Sequence, residues 1–290
     1  PFVKGQTYTV QFDLQKYHHN FQKSTAPSTE ILEHTFTVSK PTIAPTTHVR
    51  QIYPTSNTLP ENLLKFYIYF SAPMQRDQTY SHIRLLDQSG KEISDPFLEV
   101  TPELWSPRTQ RFTLFFDPGR IKRGLMPNQD LGLALKEGNT YHLVVSSSLK
   151  DANNNRLTAA YTKTFTIRTA DRTSPTTKIW RITPPTKKTH EPLVLKLDEP
   201  LDHALLHRLI EIKNPKEQTL AGKVEITHNE TRWHFTPQTP WASGPHTVHI
   251  NPILEDVAGN QLTRLFDMNL ENQTAQITSS DPIVLPFQIP

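Results

Sequence analysis

Cysteine is absent from the 290-residue sequence, and glycine is scarce, with 9 residues against 25 prolines. The absence of cysteine excludes disulfides, thiolate metal ligands and cysteine nucleophiles within these residues. Proline removes a backbone donor and clashes with the preceding helical turn, so this much proline argues against a mainly helical fold. The sequence therefore favours strands and turns.

Long apolar runs and long runs of one charge are also missing. No apolar stretch approaches the roughly 20 residues that a membrane-spanning helix needs. The 31 basic and 28 acidic residues give a net charge of +3, without long basic runs. Nucleic-acid-binding domains usually concentrate positive charge on one face or helix. We therefore expect no transmembrane segment in this chain and no nucleic-acid partner.

Three landmarks occur twice in the same order, which indicates two copies of one module. Each copy has a strand that ends near a proline, then a strand that begins with glycine, then an Asp-containing loop. The first copy has Phe70-Ser-Ala-Pro73-Met74, residues 138–143 and residues 151–157; the second has Leu197-Asp-Glu-Pro200-Leu201, residues 244–250 and residues 256–262. Tandem modules usually bind, hold or space other components.

The second copy contains about seven short strands separated by turn signals, which is typical of an immunoglobulin-like sandwich. A helical turn is predicted at 205–209, and the last strand is predicted to begin at 265–268. Trp180 and Trp233 are predicted to lie in a core or between modules. The fold class predicted for the chain is all-β, with tandem immunoglobulin-like β-sandwiches.

The repeat predicts the domain boundaries. Residues 1–40 match only the closing part of a module, and we expect the strands that complete it upstream of Pro1. Residues 45–169 form a sandwich with loop inserts at about 99–107 and 119–136. Residues 175–272 form a second sandwich, and 273–290 form an extended tail along a sheet edge, where proline is tolerated. Proline-containing linkers should space the modules semi-rigidly.

These landmarks resemble bacterial immunoglobulin-like modules of the type found in surface-layer proteins. The matching pattern is F-S-x-P-M, then G-x-x-Y, then D-x-x-G-N-x-L, and it covers about 49–270. Asn154 stands where the second copy has Gly259, and asparagine tolerates the left-handed backbone of such a turn. The resemblance implies an exported bacterial protein of the periplasm, outer membrane or cell surface, without a known activity.

The Asp-containing loops carry oxygen atoms at a spacing that suits calcium or a hydrogen-bonded turn. The candidate calcium ligands are Asp151, Asn153, Asn155, Asp256 and Asn260. Calcium requires six to eight oxygens, usually with several carboxylates, whereas each loop has one aspartate. The interpretation that we favour is an Asx turn closing a hairpin, so no metal site is predicted.

Two further patterns offer weak catalytic or metal signals. His203 and His207 have the spacing that places two imidazoles on one helical face, but zinc needs at least a third ligand. We prefer a solvated helical turn. Residues 146–148 are three serines without the G-x-S-x-G elbow of a nucleophile. We therefore predict no catalytic residue and no cofactor.

The inserts of the first module are the candidate partner-binding sites. Arg120, Lys122 and Arg123 lie between two glycines, and arginine favours carboxylate or phosphate partners. The alternative is a loop that packs on the neighbouring module. Trp105, in the other insert, is a candidate for stacking on a sugar together with Tyr80. The alternative is that Trp105 caps its own core.

Together these patterns predict a non-catalytic module array of a bacterial envelope or secreted protein. It would act as a scaffold, a spacer or a protein-docking unit, and its partner would be another envelope or secreted protein. Two alternatives remain open. One is a carbohydrate-binding accessory protein, with a glycan as the partner. The other is the C-terminal spacer of an enzyme whose catalytic domain lies upstream.

Overall fold

The computed structural model describes residues 2–3, 5–13, 31–38, 45–121, 132–267 and 281–290. The chain divides into two compact units, Pro1–Pro45 and Thr46–Pro290. The larger unit contains both copies of the repeated module.

The smaller unit contains a two-stranded antiparallel sheet. Strand β1 (Thr7–Asp13) pairs with β2 (Ile31–Thr37), and Tyr8 lies opposite Phe36. One face carries cross-strand hydrogen bonds between threonines, such as that between Thr7 and Thr37. Because side chains alternate along a strand, the other face is apolar and includes Tyr8 and Phe36. The pairing of this sheet with strands upstream of Pro1 stays a prediction.

The first sandwich consists of a three-stranded and a four-stranded sheet. The three-stranded sheet has the order β3-β5-β7, and the four-stranded sheet has the order β4-β9-β8-β6. The strands are β3 (Val49–Tyr53), β4 (Thr58–Pro60), β5 (Lys65–Phe70), β6 (Ile83–Asp87), β7 (Arg111–Phe115), β8 (Thr140–Val145) and β9 (Tyr161–Arg168). Phe66, Leu143 and Phe165 are among the buried residues that the two sheets contribute to one core.

The second sandwich repeats this plan, with the sheets β10-β11-β14-β13 and β12-β15-β16. The strands are β10 (Arg181–Thr183), β11 (Leu193–Lys196), β12 (Ile210–Lys213), β13 (Gly222–Thr227), β14 (Arg232–Pro237), β15 (Gly244–Ile250) and β16 (Ile283–Ile289). Trp180 and Trp233 are buried in its core. Two sheets of three and four strands match the immunoglobulin arrangement, so the all-β prediction is confirmed.

Two short α-helices and two 3-10 turns interrupt the strands. Helix α1 (Pro118–Ile121) follows β7, and α2 (His203–Leu206) follows β11, close to the helical turn predicted at 205–209. The 3-10 turns are Tyr80–His82 and Thr177–Ile179. No helix among the described ranges is long and apolar enough to cross a membrane.

The last strand of the second sandwich differs from the prediction. Residues 265–267 are not in a strand, and β16 pairs antiparallel with β15 along its whole length. The segment predicted as a tail is therefore part of the sandwich, and Phe287 and Ile289 are buried in its core. The expectation that the last strand begins at 265–268, soon after the Asp-containing loop, is wrong for residues 265–267, because the sheet takes its edge strand from residues 283–289. As expected, Pro286 lies on an edge strand, opposite Thr247.

The two Asp-containing loops are Asx turns. Asp151 Oδ1 accepts hydrogen bonds from the Asn153 and Asn155 N–H groups, and Asp256 Oδ1 accepts from those of Ala258 and Asn260. These carboxylates thus hold their own loops, as the turn interpretation requires. The third residue after each Asp has a left-handed backbone, with φ of 65° at Asn154 and 87° at Gly259.

Gly259 should tolerate substitution far less than Asn154. A Cβ atom at Gly259 would lie 2.7 Å from Leu64 Cδ2 of the first sandwich and 3.2 Å from Phe266 Cγ. We expect Gly259→Asn to reduce the free energy of unfolding by roughly 1–3 kcal/mol, because the new side chain would overlap Leu64 and Phe266 and overpacking costs about that much. Urea denaturation measures this loss. Asn154→Gly, at the matching turn, is the control, and an equal loss in both variants would contradict the packing argument.

Candidate functional site

The most distinctive polar site lies where the second sandwich covers the outer face of β5. Phe66, Ile68 and Phe70 point into the first core, whereas Lys65 and Tyr67 alternate with them and point outward. Yet Lys65 is only 9% exposed and Tyr67 only 7%. Residues of α2 and of the loop before Asp256 cover them. We call the contact surface between the two sandwiches the junction.

The centre of the junction is a buried ion pair. The Lys65 ammonium lies 2.9 Å from Asp202 Oδ2 and also contacts the Glu255 carboxylate. The Tyr67 hydroxyl donates to Asp202 at 2.9 Å. Asp202 in turn begins α2, because its Oδ1 accepts a hydrogen bond from the Leu205 N–H at 2.9 Å. One carboxylate thus caps a helix of the second sandwich and binds two side chains of the first.

Electrostatics keep the Lys65 ammonium charged at neutral pH. Burial alone would lower the pKa of Lys65, but Asp202, Tyr67 and Glu255 together raise that pKa above its ordinary value. Burial and Asp202 likewise raise the pKa of the Tyr67 hydroxyl. An ammonium and a phenol that hold their protons this firmly are suited to binding and unsuited to acid–base catalysis at neutral pH.

His203 adds an aromatic contact to the junction. Its ring stacks on Tyr53 of the first sandwich, with centroids 3.4 Å apart, and meets Tyr69 edge-on at 5.7 Å. Burial, with the neighbouring His207 and Arg111, lowers the pKa of His203 to about 3. The prediction of a solvated helical turn is therefore wrong for His203, which is 7% exposed. The feature that the sequence analysis missed is that His203 lies on the same buried face of α2 as Leu206, and that this face packs against another surface.

A second polar contact joins the sandwiches at the β3–β4 turn. Glu230 accepts hydrogen bonds from the N–H and hydroxyl of Thr55, and Lys163 donates to the carbonyls of Thr55 and Ser56. Burial lowers the pKa of Lys163 to about 8, with Glu230 opposing that shift. Glu230 of the second sandwich and Lys163 of the first therefore both fix the β3–β4 turn.

Three carboxyl groups meet beside the linker between the sandwiches. Ligand atoms of Asp171, Glu199 and Asp256 lie within 4.8 Å of one another, and this is the group among the described residues that could hold a metal ion. Burial, Asp256 and Asp171 raise the pKa of Glu199 to about 8, and burial raises that of Asp256 to about 7. Glu199 therefore tends to keep its proton at neutral pH, which lessens the repulsion within the cluster.

The linker between the two sandwiches packs into the junction. Asp171 exchanges hydrogen bonds with the Asn62 side chain, and its carbonyl also accepts from Asn260 Nδ2. The prediction of semi-rigid spacing by proline is therefore replaced by direct packing of one sandwich on the other. A sequence signal was present, because Lys65 stands within the apolar run from 63 to 70. That run lacks the alternation of a strand with one exposed face.

The predicted partner-binding residues fall into two groups. Lys122, Arg123 and most of the second insert lie outside the described residues. Arg120 is 4% exposed, and its guanidinium donates to the carbonyls of Ser94 and Gly132 at 2.6 and 3.0 Å. The expectation of a surface arginine that contacts a partner is corrected, because Arg120 anchors loops of its own module.

Trp105 takes the alternative role that the sequence left open. Its ring packs on Phe70 and Phe112, with centroid distances of 5.8 and 5.0 Å, and its Nε1 donates to Glu103. Tyr80 contacts Phe112 edge-on at 5.3 Å. Both rings are half-buried and meet the same core residue, so they do not form the open platform that stacking on a sugar requires.

The serine run forms a hydrogen-bonded chain with a histidine. Ser148 Oγ lies 2.7 Å from Ser146 Oγ and 3.0 Å from His82 Nδ1. Within the described part of the chain, no carboxylate is hydrogen-bonded to His82 to orient the ring as a third member would. The chain instead ties the end of β8 to the turn that precedes β6.

Replacing the junction lysine should lower the stability of the whole two-sandwich unit. Lys65→Met removes the cation and leaves the Asp202 and Glu255 carboxylates buried together. Breaking a buried ion pair on one side costs about 3–5 kcal/mol, and we expect that loss in the free energy of unfolding. Chemical denaturation followed by tryptophan fluorescence measures it. Lys196→Met, at an exposed position on β11, should change stability by less than about 0.5 kcal/mol, and an equal loss in both variants would refute a special role for Lys65.

The cluster of Asp171, Glu199 and Asp256 predicts that the stability of the fold depends on pH. A carboxyl whose pKa is raised on folding contributes stability below its unfolded pKa, and this contribution is lost as pH rises through the folded pKa. For Glu199 this window runs from the ordinary value of 4.5 to about 8. Stability should therefore decline across that window, and Glu199→Gln should reduce the decline.

Urea midpoints measured from about pH 5 to about pH 9 test this pH dependence. The Glu199→Gln midpoint should exceed that of the parent at the alkaline end. Glu211→Gln, which alters an exposed acid on β12, should follow the parent curve. Parallel curves for parent and Glu199→Gln would show that Glu199 does not titrate in this range.

Comparison with known proteins yields no family. No protein-family model matches the chain, and no curated protein matches it. Among solved structures, the part of Escherichia coli alpha-2-macroglobulin that spans domains MG0-NIE-MG1 is 13% identical, with coverage of 84% of this chain and 71% of that chain and a TM-score of 0.27.

Two further solved structures are similar at the same level. The S-layer protein rSbsC(31-844) is 12% identical, over 70% of this chain and 23% of that chain, with a TM-score of 0.29. The tandem Ig repeats of Dlar are 10% identical, over 70% of this chain and 86% of that chain, with a TM-score of 0.22. At such scores these likenesses carry no argument about activity or partner.

Proposed function

We propose that this chain is a non-catalytic scaffold of a bacterial envelope or secreted protein, in which two immunoglobulin-like sandwiches act as one rigid docking unit. The observation that carries this proposal is the junction. A buried ion pair, a stacked histidine and a hydrogen-bonded linker fix one sandwich against the other. Such contacts keep the surfaces of the two sandwiches that bind a partner at a constant separation and angle.

The polar groups of the molecule also favour binding over chemistry. The junction lysine and tyrosine keep their protons, and His203 stays neutral and buried. The carboxylates of Asp151 and Asp256 hold their own turns. A scaffold role uses all these groups for stability, whereas a hydrolytic role would need an accessible nucleophile next to an oriented base. The location in the envelope or outside the cell belongs to the same proposal and rests on the module resemblance.

A distance measurement across the junction tests the scaffold proposal. The chain has no cysteine, so Thr162→Cys and Lys223→Cys, both exposed, accept one spin label in each sandwich. We expect pulsed electron spin resonance to give a single narrow distance distribution. Lys65→Met should broaden it, because the ion pair no longer opposes separation of the sandwiches, and Lys196→Met should not.

A broad distribution in the parent would contradict the rigid scaffold. Circular dichroism on each labelled variant verifies that the strands remain folded. This check separates a mobile junction from an unfolded module.

A further inference from the structure

We infer that an acidic groove on the first sandwich binds an extended, basic peptide segment of a partner protein. This inference deepens the proposed function and rests on it, because it names the chemistry of the docked partner. The groove lies beside β6, away from the ion pair at Lys65.

The groove consists of two adjoining recesses that share Tyr80, Ser81 and Glu99. The larger has a volume of about 620 Å³ and lies between β6 and residues 92–99. The smaller, of about 460 Å³, continues past Tyr80 to Asp77 and Glu103. Two recesses joined at shared residues have room for several consecutive side chains, which suits a peptide better than a compact small molecule.

The outer edge of β6 is covered only in part. The Leu85 carbonyl accepts from the Ile93 N–H, and the Asp87 N–H donates to the Lys91 carbonyl. The backbone groups of alternate residues, including Ile83, therefore point away from β8 and toward this side. The hairpin with residues 91–93 covers the edge from Leu85 onward, whereas the edge at Ile83 borders the larger recess. The Ile83 N–H donates to the Tyr80 carbonyl, so the Ile83 carbonyl is the group that this edge offers to an extended peptide.

The opposite wall is fixed before any ligand arrives. Arg120 donates to the carbonyls of Ser94 and Asp95, and the Leu98 N–H donates to the Phe115 carbonyl of β7. Phe97 packs on Phe116 of the core, with ring centroids 5.2 Å apart. A wall held in this way reduces the ordering cost that binding a peptide would otherwise carry.

The charge of the lining selects a basic ligand. Five acidic residues and one arginine line the two recesses, although the whole chain has a net charge of +3. The acidic residues are Asp77, Glu92, Asp95, Glu99 and Glu103, and the arginine is Arg84. Glu92, Asp95 and Glu99 are exposed. Negative charges that share one cleft reinforce its negative electrostatic potential, which attracts a cationic partner.

Apolar side chains between these carboxylates favour a peptide over a simple polyamine. Tyr80, Ile93 and Phe97 are half-buried on the floor, and Leu98 is 38% exposed at the rim. An extended peptide presents side chains alternately to the groove and to solvent. A segment in which lysine or arginine alternates with aliphatic residues would therefore meet both the carboxylates and the floor.

Peptide binding to the intact chain tests this inference. The probe is a fluorescein-labelled peptide of about eight residues that alternates lysine and valine, a length typical of one strand. Fluorescence anisotropy should show saturable binding that weakens with salt, since exposed charges are screened. Glu92→Lys with Glu99→Lys should weaken binding by roughly tenfold or more, because two attractions become repulsions.

The matched control is Glu211→Lys with Glu225→Lys, which reverses two exposed charges on the second sandwich. This control should bind like the parent, and circular dichroism checks the fold of every variant. Three results would overturn the groove: no saturable binding to the parent, equal weakening in both double variants, or displacement of the peptide by an equal charge of spermine. An alternating glutamate–valine peptide should not bind.

The inference and the scaffold proposal fail separately. A narrow spin-label distance without peptide binding would overturn the groove and leave the scaffold intact. Peptide binding together with a broad distribution of spin-label distances would support the groove and overturn the rigid scaffold.

Discussion

The buried ion pair between Lys65 and Asp202 is the contact on which the arrangement of the two sandwiches depends. Lys65 stands on the outer face of β5, and Asp202 begins α2 of the second sandwich. If the second sandwich moved away, Lys65 would lose both carboxylate partners and the helix cap Asp202 would lose its lysine and tyrosine partners. The linker contacts of Asp171 and the stacking of His203 on Tyr53 follow from the position that this pair sets.

A buried ion pair is a costly way to gain stability, since both charges lose their hydration. Apolar residues of the same volume would often stabilise such a surface as well or better. What the pair does supply is a specific position, because an ammonium between two carboxylates is satisfied only in one register of the surfaces. An apolar face on β5 would allow the second sandwich to slide or rotate. The junction therefore trades stability for a defined angle between the modules.

The sequence predicted the strands well and the junction poorly. Local alternation and turn residues are sufficient for elements such as β11 and β15, and the left-handed turn at Asn154 was correctly anticipated from asparagine itself. The unbroken apolar run from 63 to 70 indicates that both faces of β5 are covered, but local sequence does not show that residues as distant as Asp202 and Glu255 cover Lys65. For the same reason, Arg120 looked like a surface cation although carbonyl groups of its own module surround it. Local sequence does not reveal what covers a residue.

The late position of β16 has a consequence for the order of folding during synthesis. Its partner β15 ends at Ile250, but β16 begins only at Ile283. Because domains fold as units from the amino terminus, the first sandwich can close on the ribosome while the second still lacks an edge strand and the buried ring of Phe287. A nascent chain in this state presents an open sheet edge, which is a template for pairing with another chain.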